Sequence, residues 1–209
     1  SFNFYAMIYR DQLVPTGELS NVGYPVMTNV KNSYRLGAEF SAGFIVSEFL
    51  SFDMSVTLSS NKIKDFTEYY TDYNTSDWSA EYKSRDLGRV DIAYSPSLIA
   101  TGIMHFKVLP SLGIDLTGKY VGKQYFDNTM NSDRMLDPYF VSNVIAGFSP
   151  GIKSIKDLSV QLTVNNIFNA RYENNAYGGN WFEDGVEKSW AYYFPQAGTN
   201  FMLKIGLKF

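Results

Sequence analysis

Residues 34–46 have the sequence YRLGAEFSAGFIV, and this stretch decides the fold class. Every second residue from Tyr34 to Val46 is apolar or aromatic, whereas Arg35, Glu39 and Ser41 lie between them. Because successive side chains of a β-strand point to opposite faces, this period of two predicts a strand with one apolar and one polar face. The strand is longer than the roughly five or six residues that are most common in soluble proteins.

The same alternation recurs along the chain. It is clear in four further segments, which are 50–58, 112–120, 158–164 and 201–209. Weaker patterns predict three more strands, over 1–14, 97–108 and 136–149. Eight strands result, long enough for the roughly 9 to 11 residues of a tilted membrane-spanning strand.

The connections between these strands alternate in length. Short ones fall near 47–49, 109–110 and 149–151, and long ones cover 15–32, 67–96, 127–135 and 171–198. Short turns on one side and long loops on the other are typical of antiparallel up-and-down β-barrels in membranes. We therefore predict an all-β chain with the strands of a transmembrane barrel.

The composition excludes several other classes. The chain of 209 residues has 16 Phe, 16 Tyr and 3 Trp, but no Cys and a single histidine, His105. Disulfides, thiolate metal sites, a cysteine nucleophile and a multi-histidine metal centre are therefore excluded. No apolar run approaches the roughly 18 residues of a spanning helix, and a formal net charge of -3 argues against nucleic acid as a partner.

Two alternatives remain open on periodicity alone. One is a soluble β-sandwich that binds a ligand; the other is a self-contained eight-stranded outer-membrane protein, either an adhesin or an enzyme that uses Ser149 and His105. Residues 147–151, GFSPG, match the G-x-S-x-G pattern of hydrolases. That pattern needs a strand-to-helix turn, whereas here a short turn joins two predicted strands, so we predict no catalytic residues. We also predict no metal site and no cofactor.

Four motifs in the expected order resemble TonB-dependent outer-membrane receptors. They are DQL at 11–13 with SYRLGAE at 33–39, YVGKQYFDNT at 120–129 with LDPY at 136–139, VNNIFNARY at 164–172, and YFPQAGTNF at 193–201 running on to Phe209. Ile167 replaces the family's usual Leu, and Thr199 replaces its common Arg. The resemblance covers nearly the whole chain.

This resemblance implies that residues 1–209 are the last eight strands of a 22-stranded barrel whose plug domain and first strands are absent. The function implied is active transport across the outer membrane of a Gram-negative bacterium. Such a receptor binds a scarce nutrient of the iron-siderophore, cobalamin or glycan class and imports it with TonB-coupled energy. The implied partners are the remainder of the barrel and plug, the TonB complex through the plug, outer-membrane lipid, the barrel assembly machinery and a small nutrient ligand.

Candidate functional residues fall into three sets. The loop over 171–198 interleaves aromatic residues with Asn and Gly, a composition suited to ligand capture, and we expect its substrate contacts at Tyr177, Trp181, Trp190 and Tyr192. The polar residues that alternate with the apolar ones along each strand should face the lumen of the barrel; charged examples are Arg35, Glu39, Asp53, Asp115 and Lys119. The C-terminal aromatic residue, Phe209, resembles the family's assembly signal.

Two other charged segments are interpreted as solvated surface. The carboxylates at Asp127, Asp133 and Asp137 resemble a calcium loop only in part, because the central Gly and final Glu of an EF-hand are missing. The loop over 67–96 mixes acidic residues such as Asp72 with basic ones such as Arg85.

Overall fold

The computed structural model describes residues 1–19, 22, 24–151 and 157–208. It is built almost entirely of β-strands, with one 3-10 turn at Ser132–Arg134. The thirteen strands are β1 (Phe2–Leu19), β2 (Pro25–Ser47), β3 (Leu50–Tyr73), β4 (Ala80–Asp91), β5 (Leu98–Leu109), β6 (Leu112–Val121), β7 (Gln124–Tyr125), β8 (Met135–Leu136), β9 (Tyr139–Phe148), β10 (Asp157–Asn165), β11 (Glu173–Glu183), β12 (Val186–Pro195) and β13 (Asn200–Lys208). In these described ranges, no helix has the length and apolar character needed to cross a bilayer.

Eight strands form one antiparallel path in the order β1-β2-β3-β5-β6-β9-β10-β13. These are the eight strands predicted from the alternation, and their prediction is confirmed. Strands β1 and β13 stand at opposite ends of the path, and within the described residues no pairing joins them. The sheet is therefore open and does not close into a small eight-stranded barrel.

The strand register brings the predicted apolar positions onto one face of the sheet. Phe40 lies opposite Val56, which lies opposite Ala100, and the row continues through Tyr120 to Phe140. Many large side chains of this apolar face are exposed, among them Phe4, Leu36, Phe44, Leu58, Phe148, Phe201, Leu203 and Ile205. A soluble sandwich would bury such a face against a second sheet, so the structure does not support the sandwich alternative.

Several segments predicted as long loops are strands instead. Strand β3 continues to Tyr73 and pairs with β4, while β1 continues to Leu19 and β2 begins at Pro25. In the upper part of β3 the alternation of apolar and polar residues is lost because bulges shift the register near Phe66 and because Ile63 and Phe66 are buried in a small core with Val90. The prediction of loops over 15–32, 67–96 and 171–198 was therefore wrong for much of their length.

The segment over 171–198 folds as a hairpin of β11 and β12. Its turn is Asp184-Gly185, and both residues have positive φ, 49° and 78°, as a type I′ turn requires. The hairpin follows β10 in the chain, yet Phe182 pairs with Asp72 of β3, four places away along the sheet. The hairpin thus spans from the β10–β13 end of the sheet to the upper end of β3.

Candidate functional site

A largely buried charge network fixes the β11–β12 hairpin to the rest of the sheet. We call it the charge network, and its members are Glu68, Arg85, Asp127, Arg134 and Glu187. Arg85 Nε donates to Glu68 Oε2 over 2.5 Å, and its Nη2 donates to Glu187 Oε2 over 2.8 Å. Strands β3, β4 and β12 are joined through this one guanidinium.

Arg134 is the most enclosed member of the charge network, with none of its surface exposed. Its Nη2 donates to Glu187 Oε1 over 2.9 Å, and its Nη1 lies 2.9 Å from Asp127 Oδ2. Two side-chain amides donate further hydrogen bonds to the carboxylates: Asn180 Nδ2 donates to Glu68 Oε1, and Asn131 Nδ2 donates to Glu187 Oε1. A buried cation surrounded by carboxylates is stable only while those partners remain in place.

These positions correct part of the sequence interpretation. Asp127 and Asp72 are only 6% and 7% exposed, so neither belongs to a solvated surface. Both Asp127 oxygens are engaged, one by Arg134 and the other by Thr129 N and Oγ1. Asp127 therefore serves the fold rather than a calcium loop, whereas Asp133 and Asp137 are exposed, as the solvated interpretation expected. The solvated interpretation holds for Asp77, which is exposed.

Ion pairing sets the titration of two carboxylates at this end. Burial acts to raise the pKa of Glu187, but hydrogen bonds from Arg85 and Asn131 outweigh it, and the pKa lies below its usual 4.5. The hydrogen bond from Lys83 holds the pKa of Asp72 below its usual value, and Gly185 N adds to the effect. Both groups are therefore charged at neutral pH and hold the hairpin to β3 and β4.

The opposite face of the hairpin carries a cluster of rings, the aromatic platform, formed by Tyr177, Trp190, Tyr192 and Phe194. Ring centroids lie 5.3 Å apart for Trp190 and Tyr192, 5.5 Å for Tyr177 and Tyr192, and 5.8 Å for Tyr177 and Phe194. Three of the four remain about half exposed: Tyr177 (48%), Tyr192 (60%) and Phe194 (48%). A Cβ added to Gly179 would lie 3.3 Å from Trp190 Nε1, so the absence of a side chain at Gly179 leaves room for the indole.

The predicted substrate residues are only partly brought together. Tyr177, Trp190 and Tyr192 meet in the aromatic platform, whereas Trp181 lies nearer the hairpin turn, where its Nε1 donates to Glu183 over 2.9 Å. Phe194 was not predicted, although the period-two pattern of Trp190, Tyr192 and Phe194 would have indicated it.

The five charged residues expected to face a lumen share the face opposite the apolar one. Arg35 Nη1 donates to Ser95 Oγ, Glu39 accepts from Asn3, and Lys119 lies beside Thr101 in the sheet. On the same face, the ring nitrogens of His105 lie 2.8 Å from Asp115 Oδ1 and 3.0 Å from Asp53 Oδ2.

His105 and Ser149 line one depression of about 600 Å³ at the short-turn end of the sheet. Carboxylates engage both ring nitrogens, and among the described residues no hydrogen bond joins His105 to Ser149. A serine nucleophile needs a base within hydrogen-bond reach, so the arrangement does not favour the enzyme alternative. Phe209, the expected assembly signal, lies outside the described residues.

Three solved structures with a similar fold are named as receptors or transporters. The siderophore receptor PiuA from Acinetobacter baumannii has a TM-score of 0.62 at 17% identity, over 98% of this chain and 26% of its own. The ferric-catecholate import receptor Fiu from K12 E. coli has a TM-score of 0.59 at 14% identity, over 97% and 24%. The copper transporter OprC has a TM-score of 0.65 at 16% identity, over 100% and 28%.

A comparison with protein-family models found no match, and neither did one with curated protein sequences. The chain spans about a quarter of the length of the solved structures that it resembles. The resemblance drawn from the sequence motifs is thus confirmed at the level of fold: the chain folds like one part of solved siderophore and copper receptors.

Proposed function

We propose that the chain is the C-terminal part of the barrel of a TonB-dependent outer-membrane receptor, which imports a scarce nutrient. One observation carries the proposal: eight consecutive antiparallel strands form an open sheet with an exposed apolar face and an opposite polar face. Contiguous apolar surface of this extent marks contact with a membrane or another protein. Each large side chain moved from water into lipid contributes roughly 1.5 to 3 kcal/mol.

The two unpaired ends of the sheet require further strands. A bare strand edge in hydrocarbon leaves N–H and C=O groups unsatisfied, at a cost of several kcal/mol each. In the proposal β1 and β13 pair with the preceding strands of a larger barrel, of 22 strands by family resemblance. A plug domain fills that barrel and contacts the TonB complex.

Orientation follows from the lengths of the connections. The short turns face the periplasm, and the β11–β12 hairpin with the charge network lies on the extracellular side. Arg35, Glu39, Asp53, Asp115 and Lys119 then face the lumen, where they contact water, the plug or the passing nutrient. Phe209 serves in this proposal as the signal for the assembly machinery, and its deletion lowers the amount of receptor in the outer membrane.

Fractionation of cells that produce the full-length protein tests the location. The receptor is expected in the outer membrane, as a folded species that migrates differently before and after boiling. Recovery in the soluble fraction would contradict the proposal. Uptake of labelled ferric siderophores, cobalamin and oligosaccharides in strains with and without the receptor, each with and without TonB, tests the transport. One class is expected to depend on both proteins.

Cysteine cross-linking tests whether the sheet closes on itself. The chain has no native cysteine, so an introduced pair is the only one in this region. Phe4→Cys with Ala38→Cys, which lie opposite each other in β1 and β2, should form a disulfide and serves as the positive control. Pairs between β1 and β13, such as Phe4→Cys with Leu203→Cys, should not. Efficient β1–β13 cross-linking would favour the small barrel instead.

A further inference from the structure

The aromatic platform has the shape and exposure of a stacking surface. Tyr177 and Tyr192 lie at 32° to each other, and Tyr177 and Phe194 at 36°, so their faces point in similar directions. All four residues project from the same side of the hairpin, because Tyr177 pairs with Tyr192 and Gly179 pairs with Trp190. Trp190 stands at 85° to Tyr177 and 58° to Tyr192, so the rings of Tyr177, Tyr192 and Phe194 form one aromatic surface and the indole borders it.

The other side of the hairpin holds this surface in position. Ala176 and Ala191 pack into a small core with Phe126 and Leu136, and Phe182 stacks on Tyr70 with a centroid distance of 3.9 Å. The charge network anchors the same side through Glu187. A surface fixed before binding loses little conformational entropy when a ligand arrives, so it suits a weakly interacting, uncharged ligand.

The charges around the platform disfavour an anion. Glu187 belongs to the charge network on the other side of the hairpin; the rest of residues 171–198 contains three carboxylates, from Glu173, Glu183 and Asp184, and two basic residues, Arg171 and Lys188. The cations behind the hairpin are already paired: Arg85 with Glu68 and Glu187, and Arg134 with Asp127 and Glu187. An anionic ligand such as a ferric catecholate would meet a small excess of like charge here.

We propose that the aromatic platform binds an uncharged saccharide by stacking. This inference rests on the proposed function and names its substrate class. The C–H groups on the face of a sugar ring carry partial positive charge and match the negative face of an aromatic ring. Polar groups lie at both ends of the platform: Glu183 near the turn, and Asn174 with Gln196 at the base, where Gln196 Nε2 donates to Asn174 Oδ1. These groups can bond the hydroxyls at the edge of a stacked sugar.

Ligand binding to the full-length receptor in detergent tests the inference. The probes are short linear glucan, mannan and xylan oligosaccharides, compared with a ferric tris-catecholate, and the readouts are calorimetry and tryptophan fluorescence. At least one neutral oligosaccharide should bind, and Trp190→Ala should weaken that binding about tenfold or more. Trp190→Phe, which keeps a ring, should recover part of the affinity.

A matched control is Tyr82→Ala. Tyr82 is an aromatic residue of β4 that is 84% exposed and lies outside the platform, and its loss should leave saccharide affinity unchanged. The proposal is overturned if none of the oligosaccharides binds, if Trp190→Ala leaves their affinity unchanged, or if the ferric tris-catecholate alone binds in a Trp190-dependent way. That last result would leave the receptor function standing, whereas failure of the fractionation and uptake experiments would remove the receptor function itself.

Discussion

Removing the Arg134 guanidinium should release the β11–β12 hairpin without unfolding the barrel wall. The change is Arg134→Met, which keeps much of the volume and deletes the charge. Arg134 is fully buried and lies 2.9 Å from carboxylate oxygens of both Asp127 and Glu187. Breaking a buried pair by removing one partner costs roughly 3 to 5 kcal/mol, because the remaining charges stay desolvated.

Hydrogen–deuterium exchange on the full-length receptor in detergent measures this effect. A loss of roughly 3 to 5 kcal/mol in local stability should speed exchange of the hydrogen-bonded amides of β11 and β12 by about two to three and a half orders of magnitude. Exchange in β5 and β6 should not change, because neither strand contributes to the charge network. Arg89→Met, at an exposed arginine of β4, is the control and should leave hairpin exchange as in the wild type.

A second substitution separates charge from packing. Adding Glu187→Gln to Arg134→Met removes one of the stranded carboxylates, so the double variant should regain part of the lost protection. If Arg134→Met changed hairpin exchange less than about tenfold, the charge network would not be what holds the hairpin. Equally faster amide exchange throughout the sheet would also contradict local release of the hairpin, since it would mean that the wall and the hairpin unfold together.

Two further predictions concern the same hairpin. Because the pKa of Glu187 is lowered in the folded state, the stability it contributes is fully present above its usual pKa of 4.5 and is lost as the pH falls through the lower folded value. Amide exchange of β12, corrected for the intrinsic rate at each pH, should therefore accelerate below about pH 4.5. An unchanged corrected rate down to pH 3 would contradict this. Gly185→Ala places a side chain at a φ of 78°, so it should destabilise the hairpin by roughly 1 to 2 kcal/mol, seen as faster exchange at the turn, whereas Ser189→Ala should have little effect.

The sequence predicted the strands that cross the proposed membrane better than those above it. Strand β2 was identified from Tyr34 to Val46 because apolar residues must alternate wherever one face is covered by lipid. Outside that zone the constraint disappears. The upper part of β3 buries Ile63 at an odd position and Phe66 and Glu68 at even ones, so no single parity identifies it as a strand.

Long-range pairing explains what was missed in the candidate site. Glu68 meets Arg85 and Asn180, which lies 112 residues away, and no local pattern announces such a partner. The hairpin turn was different, since Asp184-Gly185 between two aromatic runs is a type I′ signature that sequence reasoning could have used. The aromatic platform was predicted in part, from the aromatic residues interleaved with Asn and Gly over 171–198.

Lipid exposure along β2 of the full-length receptor shows whether the apolar face of the sheet meets lipid. Single cysteines placed from Leu36 to Phe44 would carry spin labels, and collision with oxygen and with a water-soluble nickel complex would be measured in outer-membrane vesicles. A barrel wall should give a period of two, with high oxygen and low nickel accessibility at 36, 38, 40, 42 and 44 and the reverse ratio at 37, 39, 41 and 43. A uniform profile, or one with the two parities exchanged, would contradict a barrel wall whose apolar face meets lipid.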